Sequence, residues 1–124
     1  ALPILDSEKL AKKFMQEENK INKKLKYFIQ VNLGEEQQKS GINIKDISKF
    51  LNFCKYETKL DILGLMCIPP INEDPNYYFS QLKELALTNK LLHLSMGMTH
   101  DYVDAIHHGA TYIRIGTGIF GKRL

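Results

Sequence analysis

The chain has no tryptophan, two cysteines and only two arginines among its 124 residues, and no apolar run approaches membrane length. Each scarcity removes a class of function. Cys54 and Cys67 stand thirteen apart, with no CxxC pair and no histidines at matching spacing, which argues against a zinc site and a disulfide framework alike. Two buried, reduced thiols are the expectation. A bilayer span takes about 20 apolar residues. None is present, and the N-terminus lacks a charged n-region, apolar h-region and cleavage site, so a cytoplasmic protein without a membrane partner is expected. Nucleic-acid surfaces rely on Arg and stacking aromatics. Here the net charge of +3 comes from 15 Lys and 2 Arg against 14 acids, and in SEKLAKKFMQEENKINKKLK (7–26) the lysines interleave with Glu. That pattern reads as a solvated helix face, not as a nucleic-acid surface. His93, His100, His107 and His108 offer no i, i+4 pair with a carboxylate between, so no metal site is expected, and no Ser-His-Asp or Cys-His arrangement stands out.

What is present is the composition of one soluble globular domain, 44% hydrophobic and 25% charged. A short apolar piece, Leu2 to Leu5, leads to Asp6 or Ser7 as N-cap and then to a helix with Leu10, Phe14 and Met15 on one face. LKYFIQV (25–31) is rich in aromatic and β-branched residues and reads as the first complete strand, followed by the polar, glycine-punctuated loop LGEEQQKSGI. IKDISKFLNFCK (44–55) places Ile44, Ile47, Phe50, Leu51 and Cys54 on one helical stripe. LDILGLMCI (60–68) is an apolar strand closed by Pro69-Pro70, of the continuous kind that suits a parallel sheet covered on both faces. Pro75 stands where a helix can start, and Tyr78, Leu82, Leu85 and Ala86 share a face of that helix. Leu91 to Ser95 is the next strand. Thr99 can cap the helix HDYVDAIHH, with Asp101 in its first turn, His107 and His108 at its end and Gly109 as its stop. The last strand is Thr111 to Ile115, followed by a short helical start at Ile119.

The order is therefore a strand stub, a helix, three full βα units, a fourth strand and a helix start. Alternation of this kind implies a parallel sheet with right-handed crossovers. Doubly wound sheets and (β/α)₈ barrels both satisfy it; for a barrel, which takes roughly 200 to 250 residues or more, this amounts to about half.

Two consecutive βα junctions carry small residues: Ser95-Met96-Gly97 after one strand and Gly116-Thr117-Gly118 after the next. Glycine lets backbone N–H groups approach an anion, and helix N-termini add positive dipole. Either loop alone is explained by a plain turn. Together, on adjacent strands, they read as a phosphate site of the kind barrels build from their last two βα loops, with Ser95 and Thr117 adding hydroxyl donors. Arg114, at the end of the final strand, shares a face with Tyr112 and needs an acceptor if buried. That acceptor is either an internal carboxylate or a ring nitrogen or anionic group of a ligand held by the neighbouring loops.

FIQVN (28–32), KSGI (39–42), GLMCIP (64–69), LSMGM (94–98) and IRIGTGIFGKR (113–123) resemble, in order and spacing, the pyridoxal phosphate homeostasis proteins, single-domain barrels similar to the N-terminal domain of alanine racemase. The resemblance implies an α/β fold, the C-terminal half of a (β/α)₈ TIM barrel that binds pyridoxal 5′-phosphate (PLP), with residues 1–124 forming one partial domain. It also implies a non-catalytic protein of intracellular PLP homeostasis. Ser95, Gly97, Gly116 and Thr117 match the family's phosphate-binding positions, and Arg114 the residue facing the pyridine nitrogen. An Arg there keeps that nitrogen unprotonated and weakens the cofactor as an electron sink. Asn32 and Met66, at the ends of their strands, line the same mouth.

One departure is large. The family's Schiff-base lysine lies on the first barrel strand, in an N-terminal half that nothing in this chain resembles, and none of the 15 lysines sits in a matching motif. Lys26, at the start of its strand, points to the wrong end of a barrel. A half barrel leaves open strand edges and an uncovered inner face of Ile, Leu, Tyr and Met, and open edges invite pairing. The expectation is thus a fragment, a truncated gene product or one part of a two-chain assembly, completed by its missing N-terminal half or by a second copy. The alternatives are a fragment of a fold-type III PLP enzyme such as an amino-acid racemase, and a remnant that binds no cofactor.

Overall fold

The computed structural model of the chain describes residues 2–33, 41–70, 72–98 and 100–113. Strand β1 (Ile4–Leu5) leads directly into helix α1 (Glu8–Ile21). Ser7 caps that helix: its backbone is extended and its hydroxyl oxygen accepts from the Leu10 N–H at 3.1 Å, removing one of the donors a helix start leaves without a partner. Ala11 is fully buried, and Leu10, Phe14 and Met15 pack beside it. Asn22, at φ 55°, ends the helix.

Strand β2 (Lys26–Asn32) is the centre of the sheet. It pairs in parallel with β1, with the short β3 (Ile42–Asn43) and with β4 (Asp61–Met66); β4 in turn pairs with β5 (His93–Ser95). The order is β1-β2-β4-β5, with β3 on β2, and an isolated parallel bridge joins Ser95 to Tyr112 beside β5. Helix α2 (Ile47–Phe53) lies between β3 and β4, α3 (Pro75–Thr88) between β4 and β5, and α4 (Tyr102–His107) after β5. Asp74 caps α3 by accepting from the Asn76 N–H at 3.0 Å, with Pro75 in the first helical position, where its missing N–H costs nothing.

Because side chains alternate along a strand, the register sorts the sheet into two faces. Tyr27, Ile29, Val31, Leu65 and Leu94 join Ile47, Phe50, Phe79 and Leu82 in the core under the helices. Phe28, Gln30, Met66, Ser95 and Tyr112 occupy the opposite face, linked by the pairs Gln30–Met66, Met66–Ser95 and Ser95–Tyr112. Between Tyr27 and Phe28 the register skips Leu63, so Gly64 stands opposite Phe28. A Cβ on Gly64 would meet the His93 carbonyl oxygen at 1.9 Å, and only glycine allows β4 and β5 to approach there.

Several expectations need correction. Residues 44–55 do not form one α-helix: a 3₁₀ turn (Ile44–Asp46) precedes α2, and a π-helical turn (Cys54–Thr58) follows it. The tighter first turn rotates Ile44 out of the buried stripe, leaving it 40% exposed, while Ile47, Phe50 and Cys54 remain in the core. Ile42, read as the end of a loop, instead forms β3 together with Asn43. The fourth helix starts at Tyr102, with Asp101 at its N-cap instead of inside its first turn, and Thr99 lies outside the described residues. The inner face is less open than a half barrel suggests: Phe28 and Met66 are 2% and 3% exposed, and the Phe28 ring meets the edge of Tyr112 with centroids 5.0 Å apart.

Candidate functional site

In parallel α/β sheets ligands collect outside the C-terminal ends of the strands. There β4 and β5 end side by side, Met66 opposite Ser95, and the Cys67 N–H donates to the Ser95 carbonyl at 3.3 Å. Just beyond them lies a notch of about 30 Å³ walled by Met66, Cys67, Ile68, Ser95, Met96, Gly97 and Met98. Three of the residues singled out from sequence, Met66, Ser95 and Gly97, therefore share one small space.

Ser95 is 7% exposed, and among the described residues its hydroxyl carries no hydrogen bond. Met96 is tied down, its N–H donating to the Tyr112 carbonyl at 3.0 Å. Gly97 follows at φ +102°, and a Cβ there would lie 2.6 Å from the Ala105 Cβ. The turn thus needs glycine twice over, for its backbone angle and for the packing of α4 beneath it. The Gly97 N–H has no acceptor among the described residues. The Met98 N–H does: it donates to Asp101 Oδ1 at 2.6 Å.

Asn32 ends β2, half-buried, two residues beyond Gln30 on the face that carries Met66. It pairs with Asn43 and is not part of the notch. Arg114, Gly116 and Thr117 lie outside the described residues; the Ser95–Tyr112 bridge places the chain two residues before Arg114 next to β5.

One carboxylate, Asp101, lies close to the Cys67 wall of the notch. Burial pushes the Cys67 thiol up to about 12, and the neighbouring charge of Asp101 adds to the effect. Cys67 is therefore a protonated, compact wall of the notch and not a nucleophile. No described lysine lines the notch, and Lys26 is exposed at the opposite end of the sheet. Sequence reasoning missed Asp101, which it placed as a favourable charge at a helix start. The usable signal was its position three residues past Met98, within reach of the backbone of the glycine turn.

A model of the alanine racemase N-terminal domain family matches residues 1–123. The pyridoxal phosphate homeostasis protein of Aquifex aeolicus is 38% identical over 128 residues, taking in 96% of this chain and 56% of that protein. Its counterpart in Schizosaccharomyces pombe is 36% identical, over 99% of this chain and 56% of its own length. Among solved structures, PipY of Synechococcus elongatus without PLP superposes with a TM-score of 0.81 at 31% identity, over 94% of this chain and 59% of PipY. PipY with PLP bound gives 0.80 at 30% identity, over 94% and 58%. The chain thus spans between half and two thirds of the length of these relatives. It belongs to the alanine racemase N-terminal domain family, alongside the pyridoxal phosphate homeostasis proteins, and its parallel sheet with alternating helices is a part of that family's barrel-like α/β fold.

Proposed function

We propose that this chain binds PLP at the C-terminal mouth of its sheet and serves cytoplasmic PLP homeostasis without catalysing amino-acid reactions. The observation that carries this reading is that Ser95 and Gly97 line one notch beside Met66, while the Ser95 hydroxyl and the Gly97 N–H have no partner among the described residues. Neutral donors on a glycine turn suit a phosphate dianion, which strengthens each bond by its charge. The notch has room for little more than one oxygen-sized group, so the rest of the ligand extends over Met66 and toward Asn32. The likeness to PipY, a protein solved with PLP bound, supports PLP as the ligand.

In this reading Ser95, Gly97, Gly116 and Thr117 hold the phosphate, and Arg114 donates to the ring nitrogen. When bound, PLP supplies an electrophilic aldehyde conjugated to a pyridine ring. Arg114 leaves that ring without the protonated nitrogen that makes it a strong electron sink, which favours holding the cofactor over using it. No described lysine lines the notch, and in this reading the described residues hold the cofactor non-covalently. The remainder of the barrel comes from a further segment or from a second copy; residues 1–124 on their own running as a stable monomer in gel filtration with light scattering would contradict that part.

Titrating PLP against Ser95→Ala, Arg114→Ala and Thr117→Ala tests the site, with affinity expected to fall about tenfold or more for each, as loss of a charge-assisted bond implies. Unchanged affinity in all three sinks the reading. Racemisation of L-alanine by the PLP-loaded protein would overturn its non-catalytic part.

A further inference from the structure

We infer that Asp101 is a positioning residue for the phosphate end of this site: its buried carboxylate locks the Ser95–Met98 turn so that the Gly97 N–H and the Ser95 hydroxyl face the ligand. The inference rests on the PLP reading above and adds a residue that does not itself touch the cofactor.

Asp101 stands at the N-cap of α4, where an Asp side chain ordinarily accepts from the N–H groups of the helix it opens. It does not do so. Its carboxylate turns back to the preceding loop and takes the Met98 N–H at 2.6 Å, while the Asp101 N–H donates to the Met98 carbonyl at 3.1 Å. The two residues thus clasp each other across the turn, with the Gly97 backbone at φ +102° immediately before the clasp. Below, the Ala105 N–H donates to the Asp101 carbonyl at 3.1 Å, fixing the residue to α4. The turn is therefore held from one side by Tyr112, through Met96, and from the other by α4, through Asp101.

The carboxylate has little other reason to be buried. Asp101 is 7% exposed, and its only ion pair among the described residues is with His100 at 3.6 Å, whose side chain is 65% exposed. A buried charge is costly unless it makes good hydrogen bonds. The bond this one makes is to the backbone of the turn, and a charge-assisted bond is the strong kind. Its negative sign also keeps Asp101 from serving as a direct phosphate ligand, so its effect reaches the ligand through the turn.

The test compares PLP with pyridoxal, which lacks the phosphate, by fluorescence titration of the full chain. The wild type should favour PLP by about 100-fold, and Asp101→Ala should cut that preference by about tenfold or more while leaving pyridoxal affinity in place. Asp101→Asn retains an acceptor oxygen for the Met98 N–H and should keep the preference within about threefold of the wild type. Should the alanine variant fail to fold, Asp101→Glu replaces it: one extra methylene misplaces the oxygens, and the preference should fall. An unchanged preference in Asp101→Ala or Asp101→Glu, an equal loss of PLP and pyridoxal affinity, or a loss in Asp101→Asn as large as in Asp101→Ala overturns the inference. A wild type that does not distinguish PLP from pyridoxal refutes the PLP reading itself, so the two failures are separable.

Discussion

At the N-terminal end of the sheet side chains satisfy one another, whereas at the C-terminal end the Ser95 hydroxyl and the Gly97 N–H have no partner among the described residues. At the first end Glu18, 5% exposed, accepts from the Tyr27 hydroxyl at 2.7 Å and from the Leu25 N–H at 3.0 Å. Lys24 stands 3.3 Å from its other oxygen and donates to the Lys59 carbonyl at 2.8 Å, tying the end of α1 to the start of β4. The buried polar groups of Glu18 and Tyr27 there have protein partners. At the other end the Asp101 carboxylate accepts from the Met98 N–H inside a turn, and its only ion pair among the described residues is with His100. The division matches a general property of βα barrels, in which the N-terminal face serves stability and the C-terminal face serves function.

Glu18→Ala strikes the N-terminal end and should have the largest effect. It leaves the buried Tyr27 hydroxyl and the Leu25 N–H without their acceptor, a loss of about 3 kcal/mol in urea unfolding, as orphaned buried donors imply. PLP affinity, measured where the variant is folded, should be unchanged. A variant that keeps its stability, or that loses affinity while remaining folded, would show that the two ends are not independent.

Gly97→Ala is the reciprocal experiment. The new Cβ meets Ala105 at 2.6 Å in a backbone conformation that side chains rarely adopt, so about 2 kcal/mol of stability should be lost. Here the affinity for PLP should fall as well, because relief of the clash moves the Gly97 N–H. If affinity survives, the turn is not the phosphate cradle.

The same contrast explains what was legible in the sequence. Local chemistry was readable where a short-range rule decides the outcome: Ser7 as a cap, Pro75 opening α3, the strands around Phe28 and Leu65, and the glycine turn after Ser95. It failed where a distant partner decides. Glu18 sits in a Lys/Glu-rich helix and reads as solvated, yet it is buried because the Tyr27 hydroxyl, nine residues on, needs an acceptor. Ile44 fits an α-helical stripe, but the 3₁₀ turn shifts its phase. β3 has two residues, too few to carry a pattern, and exists because β2 offers Val31 and Asn32 as pairing partners. Met66, Ser95 and Gly97, which share the notch, were singled out by the small-residue βα junction and by the family resemblance. Asp101 was not, because a helix-start acid and a loop clasp look alike until the side chain's direction is known.

The smallest predicted effect concerns acid. Burial alone would raise the Glu18 carboxyl, but the Tyr27 hydroxyl, the Leu25 N–H and Lys24 together hold it below the ordinary carboxylate value. A carboxyl that is more acidic folded than unfolded stabilises the fold above its unfolded value, and that contribution disappears as pH falls through the folded one. Glu18→Gln keeps the shape and an acceptor oxygen while removing the titration. Wild type should therefore exceed Glu18→Gln in unfolding free energy at neutral pH, with the gap narrowing as pH falls through the carboxylate range and below it. Urea unfolding across that range measures the gap. A gap that stays constant would mean that the charge of Glu18 contributes nothing, and that the N-terminal end of the sheet is held by hydrogen-bond geometry alone.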